Sequence, residues 1–237
     1  MKKYRAVSAM LIKFTAFSLV LALSVIFAGN AVTKSAVSEN VSGARISVVI
    51  DAGHGGFDGG AVGDDGTLEK ELNLSLARSL AKQLKIMGAD VIMTRDSDVM
   101  YAEESSSHKK LDDLNHRINT VSSAGECVFV SIHMNKFPVP KYSGFQMYYS
   151  PNNGESRALA DALQSAVKKT LQQNNARLPK NAGDNIYILT KLECPAVLAE
   201  CGFLSNPEEL ALLNTDEYRE KLALVLATAL MEYINTK

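Results

Sequence analysis

Two histidines and two glutamates stand out in this chain by residue type and by placement: His54, Glu69, His133 and Glu200. His54 lies in Asp51-Ala-Gly-His-Gly-Gly-Phe-Asp-Gly-Gly-Ala, directly after a β-branched run over residues 46–51. A strand that ends in such a turn puts the imidazole at a carboxyl strand end, where open α/β sheets bind ligands. A turn needing several left-handed positions would also gather glycines around an uninvolved histidine. A phosphate cradle fits less well, because the glycines depart from the G-x-G-x-x-G spacing.

Glu69 opens a helical stretch and, at about 100° per residue, falls within about 20° of Leu76 and Leu80, on the apolar stripe, while Glu71 points away. A first-turn carboxylate is stabilised by the helix dipole, yet on the buried side it needs a partner, which a cation or a cap would supply. His133 closes Val128-Phe-Val-Ser-Ile-His at another strand end, with Ser131 on its face. A lone histidine there is as compatible with a satisfied core residue. Glu200 follows Ala196-Val-Leu-Ala, and alternation sends Cys201 to the opposite face, which disfavours that thiol as a ligand beside Glu200. Together the four side chains can supply three ligands and one base. Two His and one Glu with an open fourth position is a catalytic zinc set. His108 and His116 lie in or near a polar segment and read as solvent-facing.

The elements that must position these residues alternate from residue 45 onward between short β-branched runs and longer helical periods. That pattern predicts an α/β fold with a mainly parallel twisted sheet. Strands are expected over residues 46–51, 89–94, 127–133, 144–149, 186–189 and 196–200. Helices are expected over 69–87, stopping at Gly88, over 111–122, over 155–172, after the Asn206-Pro207 start signal, and around Leu222, Leu226, Leu230 and Tyr233. No internal repeat of the kind carried by wall-binding modules is visible.

With 237 residues and 46% hydrophobic composition the chain can bury one ordinary core. The formal charge is −1, but the first 43 residues are basic, so the remainder is mildly acidic. A domain that neutralises phosphates needs a basic stripe, so nucleic acid is excluded as a partner. Cys127, Cys194 and Cys201 form no spaced cluster and read as buried thiols; Cys194 and Cys201, across a strand at about 3.3 Å per residue, are too far apart to bridge. Residues 1–13 are basic and residues 14–28 an uncharged apolar run, the layout of a secretory signal peptide. Residues 1–31 are therefore expected to direct export, as a cleaved signal or as an uncleaved membrane anchor, with a linker over 32–43 and one catalytic domain over 44–237.

Asp51-Ala-Gly-His-Gly-Gly, Leu68-Glu-Lys, Thr94-Arg95, Ser131-Ile-His-Met-Asn135 and Glu200-Cys-Gly-Phe-Leu-Ser-Asn206 resemble, in order, the motifs of the zinc-dependent N-acetylmuramoyl-L-alanine amidases, the third amidase family. The resemblance spans about residues 45–235. It implies a sheet of about six strands with helices on both faces, Zn2+ on His54, Glu69 and His133, and Glu200 as catalytic carboxylate. It also implies peptidoglycan as substrate, cut between the lactyl group of N-acetylmuramic acid and L-alanine, outside the cell membrane. Zinc would activate a water whose proton Glu200 takes. Arg95, Arg117, Ser131 and Asn135 are candidates for orienting substrate or for supporting the ligands. Met134 and Lys136 beside Asn135, Cys201, and Ser122 depart from the family's usual residues without removing a ligand or the base. The short export segment and the lack of wall-binding repeats are similar to sporulation-type members that shape the spore cortex and would work in the forespore intermembrane space. Some members need an activator protein, and the polar stretch 97–107 is long enough to meet one. Two rivals share the residues: a zinc peptidase of the stem peptide, and a non-catalytic wall-binding protein of the same fold.

Overall fold

The computed structural model describes residues 46–237. The expected export segment and linker lie outside the described residues. Hydrophobic runs of β-branched residues form β1 (Ser47–Ala52), β3 (Cys127–Asn135) and β6 (Ala196–Phe203), flanked by the short strands β2 (Val91–Met93), β4 (Gln146–Tyr149) and β5 (Lys180–Asn181). The order across the sheet is β2-β1-β3-β6-β4-β5. All neighbouring pairs are parallel except β4 with β6. This is the mainly parallel six-stranded sheet that the alternating pattern predicts.

Helices cover both faces, as a parallel sheet requires when its strands are apolar on both sides. On one face lie α1 (Glu69–Ile86), α3 (Glu155–Thr170) and α6 (Asp216–Asn235). Their leucines, among them Leu76, Leu80, Leu159, Leu163 and Leu226, pack on Val48, Ile50, Val130, Ile132 and Val197. The other face carries α2 (Lys109–Ser123) and the short α4 (Tyr187–Lys191), with Val121, Ile188 and Leu189 against Val49, Phe129 and Leu198. α5 (Pro207–Leu213) begins where Asn206-Pro207 predicts, and the Asn206 side chain accepts the Glu209 N–H at 3.0 Å.

One expectation is corrected. Residues 186–189 do not form a strand: Tyr187–Lys191 is helical, and its buried Ile188 and Leu189 face the core from a single turn. A short apolar run has no period long enough to separate the two conformations. The remaining strand is Lys180–Asn181, two exposed residues whose side chains carry no apolar signal; backbone pairing with Tyr148 and Tyr149 defines them. Among the described residues no helix is long and apolar enough to cross a membrane.

The α1 stripe sets the stability of this layer. Leu80→Ala, which empties a fully buried site, is expected to lower the unfolding free energy by about 2–5 kcal/mol in urea titrations. Ile86→Ala, on the same helix at 71% exposure, is expected to change it by about 0.5 kcal/mol or less.

Candidate metal centre

β1, β3 and β6 run parallel, so their carboxyl ends share one edge of the sheet. His54 lies just beyond β1, His133 is in β3, and Glu200 is the registered neighbour of His133 on β6. α1 starts over the same edge with Glu69. The β3–β6 register shifts immediately after His133 and Glu200, a local irregularity of the kind that re-aims side chains at sites.

Each of His54, Glu69 and His133 offers one ligand atom, and these atoms lie within 4.8 Å of one another. His54 Nε2 stands 3.2 Å from Glu69 Oε2, and His133 Nδ1 stands 3.0 Å from Glu69 Oε1. The rings meet edge to face with centroids 4.9 Å apart. The other ring nitrogen of His54, Nδ1, is 2.9 Å from Asp58 Oδ2, which in turn accepts from Lys110 at Oδ1, 2.9 Å away. A carboxylate on the far nitrogen fixes the ring and leaves Nε2 for a cation, the usual support of a metal-binding histidine.

The backbone has been cleared to allow this crowding. His54 is the non-glycine residue with positive φ, 61°, among the described residues. Such a conformation is costly for a side-chain-bearing residue and is kept where surrounding contacts enforce it. A Cβ on Gly53 would fall 2.2 Å from His133 Cε1 and Nε2, and one on Gly60 would fall 2.6 Å from Glu69 Oε2. The motif glycines are thus required by close approach as well as by turn geometry.

The turn is held from below. Asp51, 2% exposed, accepts from Arg117 Nη1 at 2.7 Å, Thr94 Oγ1 at 2.6 Å and Ser131 Oγ at 2.5 Å. Arg117 also donates to the carbonyls of Ala52 and His54, each at 2.7 Å, and pairs with Asp113. Arg95, 1% exposed, donates to the carbonyls of Ala52, Gly53 and Lys70 at 2.8–2.9 Å. Arg95, Arg117 and Ser131 therefore support the turn from beneath, and Arg117 also lines a cavity beside His54 and His133. Asn135 is half-buried, with its carbonyl taken by the Leu204 N–H at 2.7 Å. Asp51 and Asp58 escaped the residue-by-residue reading, although both stand in the glycine-rich motif. Alternation along β1, which places Asp51 opposite its neighbours Ile50 and Ala52, was the available signal. His108 and His116 are exposed and away from the cluster; His116 stacks on Tyr101.

The two glutamates differ in charge state for a physical reason. Glu69 is buried, which pushes its carboxyl up, but His133 and His54 outweigh this and hold it well below the ordinary range. It also accepts the N–H groups of Ala61 at 2.8 Å and Met134 at 3.1 Å. Glu200 is enclosed too, and its Oε2 has no partner. Burial, with Glu69 adding to it and His133 opposing, pushes its carboxyl up to about 7. Burial pushes His54 down, yet Glu69 and Asp58 together raise it above its ordinary value. Two imidazoles and an ionised carboxylate converging beside an unpartnered carboxyl oxygen fit a divalent cation with an open coordination position. A cavity of about 320 Å³ opens onto His54 and His133 and is lined also by Lys110 and Tyr187.

The family model for N-acetylmuramoyl-L-alanine amidase, Amidase_3, matches residues 48–232. The chain belongs to this amidase family. The germination-specific N-acetylmuramoyl-L-alanine amidase of Bacillus subtilis (strain 168) is 35% identical over 193 residues, 80% of this chain and 80% of that protein. The amidase AmiA of Escherichia coli (strain K12) is 27% identical over 82% of this chain and 78% of its own length. The CwlD amidase of Clostridioides difficile, solved in complex with the GerS lipoprotein, superposes with a TM-score of 0.78 at 34% identity, covering 81% of this chain and all of that one. Residues 48–232 of the amidase match contain the whole cluster, from Asp51 to Glu200.

Two outcomes follow for this amidase. Asp51→Ala leaves Arg117 buried with its two carbonyl bonds and Asp113 but one carboxylate fewer, and is expected to cost about 3–5 kcal/mol in urea unfolding. The second concerns pH. A raised His54 stabilises the metal-free fold fully below its ordinary 6.5, and this is lost as pH rises through its folded value. Glu200, raised from 4.5 to about 7, loses its contribution over that interval as pH rises. Chelated protein should therefore melt at lower temperature at pH 8 than at pH 6. Protein with added zinc should show the opposite slope, because ligands must shed protons to bind a metal. Thermal melts with and without chelator test this; parallel slopes would remove the metal from these side chains.

Proposed function

We propose that this protein is an exported, zinc-dependent N-acetylmuramoyl-L-alanine amidase. It would hydrolyse the amide between the lactyl group of N-acetylmuramic acid and L-alanine of the peptidoglycan stem, with the spore cortex as its substrate. The observation that carries the reading is the convergence of His54, Glu69 and His133 within 4.8 Å beside the unpartnered oxygen of Glu200. The cortex assignment is supported by the germination-specific relative from Bacillus subtilis. Export, by signal or by anchor, is the role given to residues 1–31. A lipoprotein is the class of partner suggested by the Clostridioides difficile neighbour.

His54, Glu69 and His133 would hold the zinc. Bound there, it supplies Lewis acidity toward the scissile carbonyl and a more acidic water. The remaining steps belong to the chain. Asp58 holds the His54 ring with Nε2 toward the site, and the Asp51–Arg117–Arg95 assembly keeps the turn from relaxing. Glu200 takes the proton of the attacking water on its free Oε2 and returns it to the nitrogen of L-alanine as the amide bond breaks. Return matters because an amine anion leaves very poorly. Burial, by raising the proton affinity of this carboxyl, suits it to both. The cavity lined by His54, His133, Lys110 and Tyr187 would receive the substrate.

Glu200→Gln is expected to keep its zinc and to lose about 10²–10⁴-fold in kcat on purified sacculi. His54→Ala and His133→Ala are expected to lose metal and activity together. Mass spectrometry of the digest should reveal stems with a free L-alanine amino group and unsubstituted lactyl groups. A shortened stem would make the protein a peptidase instead, and unaltered sacculi with no zinc in the purified protein would make it a binding protein.

A further inference from the structure

A second pair of reactive side chains lies on the strands that carry His133 and Glu200, at their opposite end. Phe129 pairs with Ala196 and His133 with Glu200, and the same offset sets Cys127 beside Cys194. The Phe129 N–H donates to Pro195 O at 2.9 Å, so the pairing continues past the start of β6. Neighbouring strands stand about 4.8 Å apart, inside the roughly 4.4–6.8 Å window of Cα separations that a disulfide spans. Both side chains point to the face of Phe129 and Leu198 and pack into the same apolar cluster. Cys127 Sγ donates to the Val121 carbonyl at 3.9 Å. Cys127 is buried, whereas Cys194 is half-buried and offers a flank to solvent. Cys201 belongs to the core cluster on the other face of the sheet.

We propose that Cys127 and Cys194 close to a disulfide by thiol–disulfide exchange, stapling β3 to β6 and locking the register of the strands that carry His133 and Glu200. The oxidant is an external disulfide, small or protein-borne. The Cys194 thiolate attacks one of its sulfurs and expels a thiolate. The Cys127 thiolate then attacks Cys194 Sγ in the mixed disulfide and expels the second. The two protons given up by the cysteines end on the two released thiols, so the protein is oxidised by two electrons and the external disulfide reduced by two. The bond would close a long loop holding β4, α3, β5 and α4. Tyr187 of that loop walls the cavity over the metal centre. The staple would sit about 20 Å from the reacting groups, six residues down each strand, so it acts on register and leaves the chemistry untouched.

The test uses the purified full chain incubated with excess oxidised glutathione, then alkylated in denaturant and mapped by mass spectrometry without reduction. The expected product is a peptide pair joined through Cys127 and Cys194, with Cys201 alkylated. Oxidised protein should melt about 5–15 °C higher, and reduction should reverse the gain. Cys194→Ala, a change at the half-buried partner, should abolish both the linked peptide and the shift. Alkylation of all three cysteines after oxidation, a glutathione adduct that stays on Cys194, a linkage through Cys201, or a linked protein that melts no higher would each overturn the proposal.

Discussion

The buried pairing of Asp51 with Arg117 is the constraint on which the rest of the site depends. A carboxylate at 2% exposure is tolerable only with its charge matched and its lone pairs filled, and Arg117, Thr94 and Ser131 do both. Burial pushes this carboxyl up, but Arg117 and the two hydroxyls outweigh it and keep it ionised. Arg117, fixed in this way, reaches the carbonyls of Ala52 and His54, and Arg95 takes those of Ala52 and Gly53. The three successive carbonyls of Ala52, Gly53 and His54, where the chain leaves β1, are thus satisfied by two guanidinium groups. That is what allows a histidine to stand at φ 61° in a turn with no regular structure of its own.

Above this base, one residue type performs two different tasks because its surroundings differ. Glu69 receives backbone N–H groups and faces two imidazoles, so it stays ionised and can share a cation. Glu200 is enclosed with one oxygen unpartnered, so it binds its proton far more tightly. Two carboxylates pushed apart in acidity within one site is the arrangement expected of a ligand and a base. Asp58 completes the set. It raises the proton affinity of His54 in the metal-free protein, and the same negative charge favours a metal once that proton has gone.

Much of this was readable from residue types and periods. The buried stripe picked out Glu69 over Glu71, and the alternation of β3 and β6 placed His133 and Glu200 on one face with Cys201 on the other. What escaped depends on contacts between distant segments. Arg95 and Arg117 could, from the sequence, orient substrate or support the ligands, and only the packing of α2 and the β2 end under the turn shows them buried beneath it. β5 has no apolar pattern because its pairing is through the backbone alone, and α4 is too short to display a helical period. The role of Asp51 is hidden for the same reason: its three donors come from residues 43, 66 and 80 positions away.

The placement of His133 and Glu200 on paired strands has a mechanical consequence. His133 and Glu200 are register neighbours, so their relative position is set by the β3–β6 ladder and by the core on both faces, which Ile132, Val197 and Phe129 fill. The walls of the cavity are built differently. Tyr187 comes from a single helical turn and Met100 from a largely exposed stretch without regular structure. Segments with few buried contacts open at lower free energy than core strands. Substrate or a partner can therefore reshape access to the site at small cost, while the separation of Glu200 from His133 stays fixed by the sheet.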